Sequence, residues 1–178
     1  MGIRHTEIAE GETDDAIAAY ARTLPQGWEL VISSFDSDFF QLISDRISVL
    51  RYRGDRTVLW DPARLREKYG IDPGQYVDFK SLTGDSADNI PGIPSVGPRT
   101  AAALLGTFGD LDSLLARVGE VRHPALQKAL REGRERLMTN RRLIRLDREV
   151  PLPFTREALA CPPATLTTAQ VLEGIGVR

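Results

Sequence analysis

The chain has 178 residues, of which 42% are apolar and 27% charged, with a formal net charge of −2. That length allows one sizeable core with room for a smaller lobe, and the composition is that of an ordinary soluble globular protein. No apolar run approaches membrane-spanning length, the N-terminus shows no signal-peptide pattern, and the single Cys161 forms no internal disulfide, so a cytoplasmic protein without membrane partners is expected.

The elements read in order as follows. Thr13 is placed to cap a helix through Ala16–Leu24, with Asp14 and Asp15 in its first turn and Leu24–Gly27 ending it. Trp28–Ser34 reads as a buried strand, Asp36–Ile43 as a short helix or turn, and Arg46–Tyr52 as an alternating strand. Arg56–Trp60 reads as its hairpin partner across Gly54 and Asp55. Pro62–Tyr69 is predicted helical and ended by Gly70, and Pro73–Leu82 helical with proline just inside its start. Further helices are expected at Arg99–Leu105, closed by Gly106, at Leu111–Val118, and over Pro124–Leu146 as one helix or two. The tail from Val150 holds Pro151, Pro153, Pro162 and Pro163 and should be largely irregular, with a short helix near Thr168–Leu172.

Strand, helix and strand followed by helices give an α/β fold. A partial α/β nuclease-like core is expected over residues 1–60, a helical region over 61–150, and an irregular tail over 151–178.

Charge is unevenly spread. Residues 1–50 carry nine acidic and three basic side chains, and residues 122–148 carry nine basic and three acidic ones. Such asymmetry suits a polyanionic partner, and equally a solvated helix face with internal ion pairs.

Seven carboxylates fall in three clusters: Glu12, Asp14 and Asp15; Asp36 and Asp38; Asp85 and Asp88. Asp36 and Asp38 follow a predicted strand, where open α/β sheets gather functional groups. Asp85 and Asp88 share a face if they lie on a helical turn. Converging carboxylates suit hard divalent cations such as Mg²⁺. Each cluster alone also reads as helix caps or a solvated turn. His5 and His123 stand far apart without partners at ligand spacing and read as surface residues. No P-loop is present, so no nucleotide cofactor is implied.

The third cluster leads into Gly92–Ala101, G-I-P-S-V-G-P-R-T-A, which has the form of a helix–hairpin–helix turn. Gly92 and Gly97 allow positive φ and close backbone approach, and Pro98 starts the next helix. The free amides there form an anion site for a DNA phosphate, with Arg99 adding charge, and such contacts position without reading bases.

D-S-D-F-F-Q-L-I-S-D-R-I-S-V-L resembles the second acidic motif of the bacterial 5′-nucleases. D-F-K-S-L-T-G-D-S-A-D-N-I-P-G-I-P-S-V-G-P-R-T-A resembles their third motif with its helix–hairpin–helix, and E-G-E-T-D-D-A-I-A their acidic motif at the helix entering the site. The resemblance, over about residues 8–150, is to the family containing the 5′→3′ exonuclease domain of DNA polymerase I and the flap endonucleases. It implies a PIN-like sheet lobe, a helical lobe with a helix–hairpin–helix, and hydrolysis of DNA phosphodiesters by a two-metal mechanism in replication or repair.

On that resemblance Glu12 and Asp14 face the first Mg²⁺ or Mn²⁺, with Asp15 beside it. Asp36 lies between the ions, and Asp38, Asp85 and Asp88 serve the second. Lys80 neighbours the site as a basic group, completing the catalytic set of Asp36, Asp38, Asp85, Asp88 and Lys80. Gly92, Ser95, Val96, Gly97, Pro98, Arg99 and Thr100 hold the DNA duplex, with K⁺ at the turn. The substrate is DNA with a 5′ flap or 5′ end, in a bacterial or phage-like, nucleoid-associated setting.

One departure is clear. Family members carry roughly a hundred residues before this point, with the first strand of the sheet and two further metal-binding aspartates. The expectation is therefore an incomplete first-metal site and an exposed apolar sheet edge, which fits the C-terminal part of a longer nuclease, a split nuclease with a separate N-terminal half, or self-association that covers the gap. Two other readings stay open: a non-catalytic DNA-binding module, and a small α/β interaction protein with neither activity.

Overall fold

The structure is a computed structural model that describes residues 4–8, 11–53, 56–147 and 149–160. Gly54 and Asp55, Arg148, Cys161 and the helix expected near Thr168–Leu172 lie outside the described residues.

Helix α1 spans Thr13–Arg22, with Asp14 and Asp15 in its first turn as the sequence suggests. Its N-cap is Glu12 rather than Thr13, because Glu12 takes the extended conformation and Thr13 is already helical; no side chain caps the helix. Ala16, Ala18, Ala19 and Ala21 are buried, and their small size lets the helix lie close to its neighbours.

Three strands form the sheet in the order β1 (Leu30–Ser33), β2 (Ile47–Arg53), β3 (Arg56–Trp60). β1 and β2 are parallel, with Leu30 opposite Ile47; β2 and β3 are antiparallel, with Val49 opposite Trp60. The expectation of a buried strand over Trp28–Ser34 is corrected. Only Leu30–Ser33 is strand, Ile32 alone of these four is buried, and Trp28 and Val31 are 58% and 54% exposed. β1 is an edge strand, so its outer hydrogen-bonding edge is unpaired among the described residues.

The link from β1 to β2 passes through a 3₁₀ turn, Asp38–Leu42, which buries Phe39, Phe40 and Leu42. Phe40 stacks on Trp60 at 4.4 Å and meets Tyr76 edge-on at 5.6 Å, tying the sheet to the helices.

Helix α2 (Pro62–Tyr69) has the bounds expected from sequence: the Asp61 carboxylate accepts from the Arg64 amide, and Gly70 ends the helix at φ 71°. The helix predicted over Pro73–Leu82 is in two pieces, a 3₁₀ turn at Pro73–Gln75 and α3 at Tyr76–Thr83. Gln75 explains the tight first turn. Its oxygen accepts from the Asp72 amide, while its amide donates to the carbonyls of Leu105 and Gly109.

Two short strands, β4 (Gly84–Asp85) and β5 (Ile90–Pro91), form an antiparallel hairpin after α3. Asp85 and Asp88 thus sit in a hairpin and not on a helical turn, because Gly84 (φ 80°) ends α3 and Asn89 (φ 56°) closes the turn. Helix α4 (Pro98–Phe108) runs through Gly106, where the sequence suggested a stop, and ends at Gly109 (φ 88°). The extra turn buries Phe108.

Helix α5 spans Leu111–Ala116 and is followed by a 3₁₀ turn at Val118–Glu120. The predicted Pro124–Leu146 segment divides into α6 (Pro124–Glu132) and α7 (Arg134–Ile144). They meet at Gly133, where a β-carbon would collide with the Ile93 side chain. Among the described residues, the stretch beyond α7 is irregular apart from a 3₁₀ turn at Glu157–Leu159, and it returns along α1. The Tyr20 hydroxyl there donates to the Phe154 carbonyl at 2.8 Å and accepts from its amide at 3.1 Å. One apolar core joins the sheet to the helices, from Ile32 and Phe40 through Leu82 and Leu105 to Leu137.

Candidate metal centre and phosphate-binding turn

Asp36 and Asp38 follow the carboxyl end of β1. Their loop is set locally: the Asp36 amide donates to Ser34 Oγ at 3.0 Å, and the Asp38 amide donates to Asp36 Oδ1 at 2.8 Å. This turn starts the 3₁₀ segment at Asp38 and brings that side chain into the group formed by the β4–β5 hairpin. In the hairpin, Asp85 Oδ1 accepts from the Ala87 amide at 3.0 Å, which fixes its orientation.

Asp38, Asp85 and Asp88 each present a carboxylate oxygen, and the three atoms lie within 4.8 Å of one another. Asp85 is buried, Asp38 half-buried and Asp88 exposed, so the group opens to solvent on one side. Lys80 pairs with Asp85 from the last turn of α3. A cleft of about 740 Å³ lies beside them, with Tyr69, Tyr76 and Lys80 on its walls.

Asp38 Oδ1 is buried without a hydrogen-bond partner among the described residues. Burial pushes the Asp38 carboxyl up to about 6, and Asp36, Asp85 and Asp88 push the same way while Lys80 opposes them. An orphaned oxygen among three converging carboxylates is a donor set that a hard divalent cation satisfies.

The first cluster stands apart from that group. Asp14 is raised above the ordinary carboxylate range, chiefly by burial and then by Asp36, Glu12 and Asp15. Asp36 therefore acts electrostatically on both Asp14 and Asp38. Asp15 turns elsewhere: its Oδ1 accepts from the Asp147 amide at 2.8 Å, joining α1 to the chain beyond α7.

The helix–hairpin–helix consists of α3, the β4–β5 hairpin with Gly92–Gly97, and α4. Gly97 is the N-cap of α4 in extended conformation, no side chain caps the helix, and Pro98 occupies its first position. The amides of Arg99 and Thr100 thus lack intrahelical partners. Positive φ falls at Ser95 (66°) rather than at Gly92 or Gly97, which corrects the sequence expectation. Gly92 serves close packing instead: a β-carbon there would lie 2.7 Å from the Gly84 nitrogen and nearer still to the Thr83 carbonyl. At Gly97 a β-carbon meets nothing within 4 Å, so its side is open for a ligand. Ser95, Pro98 and Arg99 are exposed and Thr100 is half-buried. Val96 is only 6% exposed and belongs to the core, so its side chain faces away from any ligand.

Sequence reading missed the brace behind the hairpin. Buried Asn140 in α7 donates to the carbonyls of Ser81 (3.0 Å) and Pro91 (2.8 Å), holding α3 and β5 together. Its signal was a polar residue on the apolar stripe of Leu137 and Ile144. Gln41 likewise ties the 3₁₀ turn to the end of α7 through Ile144 and Leu146. The basic stretch is mixed in role. Arg141 bonds Asp112 at 2.9 Å and faces Asp78, and Lys128 pairs with Glu132, while Arg131, Arg134, Arg136 and Arg142 are exposed.

The architecture is a mixed sheet lobe followed by a helical lobe built around a helix–hairpin–helix. The family described as 5′-3′ exonuclease, N-terminal resolvase-like domain, matches residues 1–70, and that described as 5′-3′ exonuclease, C-terminal SAM fold, matches residues 71–166. The chain belongs to the 5′-3′ exonuclease family.

Thermostable DNA polymerase I of Thermus thermophilus is 38% identical over 153 residues, covering 85% of this chain and 18% of the polymerase. Flap endonuclease Xni of Aeromonas hydrophila is 39% identical over 154 residues, covering 86% of this chain and 57% of that protein. The chain thus spans less than two thirds of the length of either relative. The fold is shared with a solved complex of bacteriophage T5 D15 flap endonuclease with DNA and metal ions. That match has a TM-score of 0.62 at 22% identity and covers 75% of this chain and 50% of the other. Among the described residues no helix is long and apolar enough to cross a membrane.

Proposed function

We propose that this chain is the part of a divalent-metal-dependent 5′-nuclease that grips duplex DNA and carries most of the metal-binding carboxylates. The observation that carries the reading is the meeting of Asp38, Asp85 and Asp88 within 4.8 Å, with a buried, unpartnered Asp38 oxygen, in the same hairpin element that leads to the open α4 N-terminus. Family membership, the similarity to flap endonuclease Xni and the fold shared with a T5 enzyme solved with DNA and metal ions support it.

Asp38, Asp85 and Asp88 hold one Mg²⁺ or Mn²⁺. Glu12, Asp14 and Asp36 would contribute to a second, with Asp15, held by the Asp147 amide, adding to it only by its charge. Metal bound there supplies charge stabilisation at the phosphoryl group and a more acidic water. The reaction is attack of water on a phosphodiester near a 5′ end or flap junction, leaving a 5′-phosphate. Lys80 balances the buried charge of Asp85. The Arg99 and Thr100 amides, the Arg99 side chain and the open face of Gly97 hold a backbone phosphate, and K⁺ belongs at the same turn. Binding is independent of base sequence and weakens with salt. The setting is the nucleoid of a bacterial or phage-infected cell.

A second reading is a DNA-gripping part whose site is completed by another copy or a separate N-terminal half. The open edge of β1, with Val31 exposed, favours it.

The test is incubation with a 5′-labelled flap duplex in Mg²⁺, in Mn²⁺ and in EDTA, beside Asp88→Ala. Metal-dependent cutting near the junction, lost in the variant while duplex binding persists, is the expected result. Binding without cutting selects the second reading. A chain that binds no DNA at low salt contradicts both.

A further inference from the structure

A second groove, of about 830 Å³, begins at Phe35, the residue before Asp36, and runs between β2, β3 and α2. Arg51, Arg64 and Lys68 line it against a single acidic residue, Glu67. Among the described residues none of these three cations forms an ion pair.

Its aromatic groups are ordered. The Arg64 guanidinium lies 5.5 Å from the centre of the Trp60 ring, Trp60 stacks on Phe40, and the Arg51 guanidinium lies 5.3 Å from the Phe40 ring. Arg51 also donates to the Phe35 carbonyl, which fixes that residue at the mouth of the groove. The Phe35 side chain remains 60% exposed. An uncovered aromatic ring beside unpaired cations matches the chemistry of single-stranded nucleic acid, whose bases stack on aromatic faces while its phosphates seek positive charge.

We propose that this groove binds a single-stranded stretch of the substrate next to the metal centre, with a base stacked on Phe35 and phosphates drawn to Arg51, Arg64 and Lys68. The proposal rests on the nuclease reading above and adds a contact distinct from the duplex-gripping turn. It gives the chain a means of favouring substrates with an unpaired strand at the junction over blunt duplex.

Fluorescence anisotropy with a labelled oligothymidylate in EDTA tests it, with blunt duplex measured in parallel. Phe35→Ala should weaken oligothymidylate binding by about fivefold or more, the loss of one stacked base. The double variant Arg64→Glu/Lys68→Glu should weaken it further and flatten the salt slope by about 1.4, the share of two phosphate contacts. Both variants change exposed side chains and should bind blunt duplex as the parent does. Parent-like oligothymidylate binding by both variants, or duplex binding by the parent without oligothymidylate binding, overturns the groove while leaving the nuclease reading intact. Failure of the parent to bind either nucleic acid overturns both.

Discussion

Asp38 carries the strongest electrostatic signature among the carboxylates of the site. Its carboxyl is raised from 3.8 to about 6, first by burial and then by neighbouring carboxylates, so the metal-free fold holds that proton more tightly than the unfolded chain does. The resulting stability is present below about pH 4 and is lost as pH rises through about 6. Asp38→Asn should therefore stabilise the metal-free chain at pH 7, by on the order of 1 kcal/mol after allowance for solvent screening. Thermal melts in EDTA at pH 4.5 and pH 7.5 check this, with the gain expected to be clearly larger at the higher pH. Excess Mg²⁺ should reverse the order, because the parent gains from binding and the variant does not. Equal melts at pH 7.5 would mean that Asp38 is solvated rather than crowded.

At the scale of elements, the two glycines of the turn do different work. Gly92→Ala forces a β-carbon into the Thr83–Gly84 backbone and should cost about 3 kcal/mol while displacing the hairpin. Gly97→Ala meets no protein atom and keeps an allowed φ of −90°, so the fold should survive with a loss of under about 1 kcal/mol. Its methyl group projects where the phosphate approaches, and duplex affinity should fall about tenfold in a titration. Gly97→Ala binding duplex like the parent would place the DNA elsewhere. The sequence was informative about such elements where the signal was local. Asp61, Pro62 and Gly70 bound α2 because cap, first-turn proline and left-handed stop are all short-range features. Gly106 misled because a glycine between helix formers reads as a stop, whereas the stop at Gly109 depends on Phe108 reaching the core. Asp85 and Asp88 misled in the same way: their spacing fits a helical turn, but Gly84 and Asn89 adopt positive φ and make a hairpin.

At the scale of the whole molecule, the sheet lobe supplies Asp38 and the helical lobe supplies Asp85 and Asp88, and one continuous core holds the two contributions in register. The motifs named these residues, but their meeting depends on the long-range bonds of Gln41 to α7 and of Asn140 to α3 and β5, which no local pattern encodes. The same distance effect made Trp28–Ser34 read as a buried strand, because a local apolar string does not show that Val31 lies exposed on an edge strand. The most direct measurement is a Mn²⁺ titration followed by electron paramagnetic resonance, with the parent, Asp88→Ala and the remote surface variant Glu132→Ala, at pH 7.5 and pH 5. The expected result is Mn²⁺ binding that Asp88→Ala weakens by about tenfold or more, that Glu132→Ala leaves unchanged, and that declines at pH 5 as Asp38 takes up its proton. Equal Mn²⁺ affinity in the parent and Asp88→Ala, or affinity indifferent to pH, would contradict a metal centre at these three carboxylates.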